Sequence, residues 1–97
     1  MPASVKVIVN FSKKGLMRYI SHLDLLRLFG RALRRAGVPL EVSGGFSKHP
    51  EVKIKRALKL GLESDNEEVE IGLREQISLE EFKNKLQAQL PEGIKIT

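Results

Sequence analysis

Val5, Val7, Val9 and Phe11 alternate with Lys6, Ile8 and Asn10. A period of two over a β-branched run predicts a strand from Val5 to Phe11. Lys13-Lys14-Gly15 reads as a turn. Beyond Ser21 the period lengthens to that of a helix. Ser21 is a good N-cap, Asp24 stands at the third helical position as in a capping box, and Ile20 and Leu25 are spaced for a hydrophobic staple. Gly37 ends the helix and Pro39 prevents its continuation. At about 100° per residue, Leu25, Leu26, Leu28, Phe29, Ala32, Leu33 and Ala36 share one broad face. Arg27, Arg31, Arg34 and Arg35 share the opposite one, with Asp24 at its start. The apolar face must cover a sheet, and the arginine face must look outward.

Pro39 to Ser43 reads as a short strand, followed by a glycine-rich loop from Ser43 to Pro50. The stretch from Val52 to Leu62 is part alternating and part irregular, and Ser64-Asp65-Asn66 reads as a turn. Val69, Ile71 and Leu73 alternate with Glu68, Glu70 and Gly72, the pattern of a half-buried strand. Ser78 and Glu81 form a second capping box, and Leu79, Phe82, Leu86 and Leu90 follow the helical period. Pro91-Glu92-Gly93 turns the chain into a last strand with Ile94 and Ile96 inward. The order β-α-β-(insertion)-β-α-β predicts an α+β fold, a ferredoxin-like split βαβ sandwich with two helices on one face of an antiparallel sheet. The long connection around residues 44–62 is its atypical part, and connections that long inside a compact domain are usually functional.

Ninety-seven residues make one small α+β domain, 1–97. No apolar run approaches the length of a membrane span. The first ten residues, M-P-A-S-V-K-V-I-V-N, lack the apolar core and cleavage pattern of a signal peptide. There is no cysteine, hence no disulfide framework, thiolate metal site or iron–sulfur ligand set. The expected location is cytoplasmic. The net charge of +5 hides a partition. Residues 1–60 hold 13 Lys plus Arg against 3 Asp plus Glu, and residues 61–97 hold 4 against 9. Such asymmetry suggests a side that faces a polyanion, with nucleic acid the usual partner. The alternative is two halves that attract each other on folding.

Both histidines lie in the segment that joins the arginine helix to the loop S-G-G-F-S-K-H-P. Arginine forks suit phosphate oxygens, so Arg27, Arg31, Arg34 and Arg35 are the first candidates, with Arg18 just upstream. In the loop, Gly44 and Gly45 permit close backbone approach, Lys48 and His49 add positive charge, and Phe46 is either a platform for an unpaired base or a core residue. Lys53, Lys55 and Arg56 extend the basic set. His22 and His49 are the candidates for a general acid–base pair, with Tyr19 nearby. A histidine at that place on a helix is more often a satisfied, half-buried residue. His22 and Asp24 point in different directions on the helix, so they do not form a metal site with His49. Neither a metal nor a cofactor is expected. No P-loop, H-E-x-x-H or G-x-S-x-G pattern occurs, which leaves nucleotide-triphosphate and nucleophilic hydrolase chemistry without support.

The strings Y-I-S-H-L-D-L-L-R-L-F-G-R-A-L-R-R-A-G-V-P, G-F-S-K-H-P, A-L-K-L-G-L-E-S, E-V-E-I-G-L and L-P-E-G-I-K-I resemble a bacterial domain of unknown function described as radical-SAM-linked. The resemblance runs from about Phe11 to the end of the chain and singles out Ser21, His22, Leu23, Asp24, Arg31, Arg34, Gly45, Phe46, His49, Pro50, Leu60, Gly61 and Ser64. It implies a radical SAM protein as partner and no mechanism. Members commonly carry Asn-Pro where this chain has Ser47-Lys48, and they run longer, so the chain corresponds to a short version or to the first subdomain of a longer unit. A looser likeness, of fold class alone, is to repeat-associated RNA-processing endonucleases.

The expectation is a non-catalytic RNA-binding accessory module that presents structured RNA, tRNA or rRNA, to a radical SAM or RNA-processing partner. One alternative is a metal-independent endoribonuclease using His22 and His49. Another is a protein-interaction domain that docks through its basic half.

Overall fold

The computed structural model describes residues 5–43, 49–56 and 60–97, with Ser43 and His49 described by their backbone alone. Strand β1 (Val5–Lys13) lies at the centre of a four-stranded sheet, between β5 (Ser64–Leu73) and β6 (Ile94–Ile96). Strand β4 (Val52–Ile54) adds to the outer side of β5, giving the order β4-β5-β1-β6 with every pair antiparallel. Helix α1 (His22–Ala36) crosses from β1 to β4's side of the sheet, and α2 (Leu79–Gln87) crosses from β5 to β6. This is the ferredoxin-like arrangement.

Register explains why one face is covered. Val9 pairs with Val69 and Val7 with Ile71, so the alternating apolar positions of both strands fall on the same side. Leu25, Phe29, Ala32 and Leu33 of α1, with Phe82 and Leu86 of α2, bury against that side. Phe11 and Phe29 meet edge to face, ring centroids 5.1 Å apart. Leu26, Leu28 and Ala36 stay half-buried at the margin of the apolar face.

The caps form as expected in their first half. Ser21 Oγ accepts the Asp24 N–H at 3.1 Å, and Ser78 Oγ accepts the Glu81 N–H at 3.3 Å. The reciprocal half is replaced at α1, where the Asp24 carboxylate turns to Arg27 at 3.4 Å. Gly37 closes α1 in the left-handed region, φ 72°.

Three expectations are corrected. The second strand of the sheet is Val52–Ile54, within the segment expected as an insertion. The Pro39–Ser43 stretch instead bridges the end of β5 through Leu40 and Leu73, then makes a small hairpin, β2 (Val42–Ser43) with β3 (His49–Pro50). Ser64-Asp65-Asn66, read as a turn, opens β5. Strand β1 runs on past a bulge to Lys13, whose backbone pairs with Ser64, and strand pairing overrides local turn preference. Lys14 and a 3₁₀ turn at Gly15–Tyr19 fill the space expected to be a simple turn. Among the described residues, no helix is long and apolar enough to cross a membrane.

Candidate nucleic-acid interface

Helix α1 presents its arginines as its periodicity requires. Arg27, Arg31, Arg34 and Arg35 are all exposed on the side away from the sheet. Arg27 is paired with Asp24. Among the described residues, Arg31 and Arg35 have no carboxylate within ion-pair distance. At about 100° per residue they form the edge of the stripe that passes into Leu28 and Ala32. They line a groove of about 340 Å³ between α1 and residues 88–91, which follow α2.

The other basic candidates do not join this surface. Lys53 and Lys55 project from the sheet face opposite the helices, where β4 pairs Lys53 beside Glu70. Lys6 on the same face lies 3.6 Å from Glu51 and 3.9 Å from Glu70. Lys6 is therefore neutralised on the open sheet face by Glu51 and Glu70. Arg18 is half-buried. It donates to the Gly15 carbonyl at 3.1 Å and to the Tyr19 hydroxyl at 2.8 Å, with its guanidinium 4.5 Å from the Tyr19 ring centroid. Phe46, Lys48 and the side chain of His49 lie outside the described residues. The β3 backbone packs beside α1, which brings the His49 segment to the helix that begins at His22.

Arg56 has a different engagement. Its Nε donates to Glu67 Oε1 at 2.9 Å and its Nη2 to Glu67 Oε2 at 2.8 Å, a bidentate fork. Ser64 donates its hydroxyl to the same carboxylate. Glu67 is only 4 % exposed, and the Arg56 hydrogen bonds hold its carboxyl below the usual carboxylate range. Lys13 is 1 % exposed on the same side of the sheet, and its Nζ has no hydrogen-bond partner among the described residues. Burial pushes its ammonium pKa down, partly offset by the charge of Glu67. This buried polar cluster was missed in the sequence, although a signal was present. Lys13 extends the inward series Val7, Val9, Phe11 by one period, Glu67 precedes Val69, and Arg56 follows Ile54.

His22 occupies the first position of α1, half-buried, and its Nδ1 is buried without a partner among the described residues. No cluster of three or more His, Asp or Glu side chains suited to a metal ion occurs among the described residues.

Residues 6–97 match a family described as an uncharacterized protein conserved in bacteria, DUF2344. The chain belongs to this family. The match covers both helices and all four strands of the sheet, so the arginine face and the buried cluster both lie within the family domain. No curated protein and no solved structure matches the chain.

Proposed function

We propose that the chain is an RNA-binding accessory module whose α1 arginine face holds backbone phosphates. The observation that carries this reading is the position of the unpaired charge. On the open sheet face Lys6 reaches Glu51 and Glu70 and Lys53 lies across from Glu70 in the strand pairing, whereas on α1 Arg31 and Arg35 stand exposed one turn apart without a carboxylate among the described residues. Like charges on one helix face cost a few tenths of a kcal/mol per pair, and a polyanion turns that cost into attraction. The basic surface is narrower than the sequence suggests. Arg56 serves Glu67, and Lys53 and Lys55 belong to the other side of the sheet. The resemblance to radical-SAM-linked domains supplies the partner class, a radical SAM protein to which the module would present tRNA or rRNA.

The test is a fluorescence-anisotropy titration with an RNA hairpin, a single-stranded RNA and a DNA duplex over a series of salt concentrations. Binding that prefers RNA, with a salt slope that falls by about 2 when Arg31 and Arg35 both become Gln, is the expected result. Absence of binding at low salt overturns the reading. Cleavage on a denaturing gel in the presence of chelator, lost in His49→Ala, replaces it with an endoribonuclease.

A further inference from the structure

The groove beside the arginine stripe has a composition that phosphate binding alone does not need. Leu28 of α1 and Leu90 and Pro91 beyond α2 supply an apolar patch within a largely polar lining, with Ala32 at its buried floor. Arg31 and Arg35 stand on the α1 side, one helical turn apart, with Cβ atoms about 6 Å from each other. The exposed Gln89 amide brings both a donor and an acceptor. Among the described residues no carboxylate lines this groove, whereas the other grooves described each contain at least one glutamate. The acidic residues of α2, Glu80 and Glu81, lie in its first turn, away from residues 88–91.

We infer that this groove takes one unpaired nucleotide of a single-stranded or looped RNA. The base would lie over Leu28, Leu90 and Pro91, with Gln89 at its edge. Arg31 and Arg35 would hold the adjoining phosphates. Guanidinium planes stack on bases as well as binding phosphate, so both arginines can contact a splayed nucleotide in two ways. A volume of about 340 Å³ falls at the small end of ligand sites and admits a single base with its sugar. A duplex keeps its bases stacked inside and would leave the apolar patch uncovered. An acidic peptide would satisfy the arginines but leave the apolar patch unused. This inference deepens the RNA-binding reading and rests on it.

The experiment uses the whole chain and four probes: a mixed-sequence single-stranded RNA, the same ribose-phosphate chain without bases, an RNA duplex, and polyglutamate. The base-containing single strand should bind about tenfold more tightly than the abasic chain or the duplex. Arg31→Gln with Arg35→Gln should weaken every nucleic acid. Gln89→Ala should narrow only the gap between base-containing and abasic strands. Circular dichroism should show unchanged melting, because all three side chains are exposed. Equal binding of abasic and base-containing strands overturns the groove but leaves the polyanion-binding surface standing. Competition by polyglutamate as strong as that of RNA also overturns it, by assigning the groove to acidic protein. If no nucleic acid binds at low salt, both readings fall.

Discussion

Lys13 breaks the rule that buried charges are paired, and replacing it measures what that costs. The side chain is 1 % exposed, and its Nζ has no hydrogen-bond partner among the described residues. Glu67 attracts it electrostatically, but the oxygens of that carboxylate already accept from Arg56 and Ser64. Methionine matches the length of the lysine stem and needs no partner. A buried ammonium without a hydrogen-bond partner carries a desolvation penalty of roughly several kcal/mol, which an apolar side chain of similar volume does not. The expected gain for Lys13→Met is about 1–3 kcal/mol, because Glu67 loses one favourable neighbour. At this chain length 1 kcal/mol moves Tm by roughly 4–8 °C. With one tyrosine and no tryptophan, far-UV circular dichroism during urea unfolding is the suitable assay. The pH dependence gives a second readout. Burial lowers the folded pKa of Lys13 below its unfolded value of 10.5. Between the two values the unfolded chain binds more protons, so Lys13 contributes stability that rises with pH across that window. Lys13→Met should lose this component. Destabilisation by more than about 1 kcal/mol would refute the reasoning, because it would mean that the ammonium supports Glu67 strongly enough to offset its own burial.

Gly93 has φ 99°, and a Cβ there would fall 2.6 Å from the Lys14 carbonyl oxygen and 2.7 Å from Met17 Cγ. Gly93→Ala should therefore cost about 2–4 kcal/mol in urea unfolding, through strain and overlap together. Glu67 has its folded pKa held below 4.5, so its contribution is present above that value and is lost as pH falls through the folded pKa. Glu67→Gln should lower stability at neutral pH by about 2 kcal/mol and flatten the acid limb of a stability–pH profile. Gln87 bridges the outer edge of β6, donating to the Ile94 carbonyl at 3.2 Å and accepting from the Ile96 N–H at 2.7 Å. Gln87→Ala should cost about 1–2 kcal/mol and raise the tendency to self-associate on light scattering, because it uncovers an edge strand.

Local pattern carried much of the fold. The alternation of Val5, Val7, Val9 and Phe11, the 3.6-residue spacing from Leu25 to Ala36, and the caps at Ser21 and Ser78 each depend on neighbours within one or two turns of chain. They defined β1, α1 and α2 in type and nearly in extent, and the order of elements pointed to the sandwich. The outward direction of Arg27, Arg31, Arg34 and Arg35 follows from the same spacing once the apolar face is buried.

Pairing between distant segments decided the rest. Whether Pro39–Ser43 or Val52–Ile54 joins the sheet depends on which one meets β5, some twenty residues further along the chain. The register of β1 against β5 put Lys13 and Glu67 on the helix-covered side, and the continuation of β4 brought Arg56 to Glu67. One sheet then separated the basic residues into two groups, with Lys53 and Lys55 on its open face and the arginines across the helix layer. The groove beside Arg31 and Arg35 came into being only when residues 88–91 docked against α1. Sequence thus determined which side chains each element offers to each of its faces. Tertiary structure decided which faces meet, because register and docking are set by contacts between residues far apart in the chain, and no local pattern contains them.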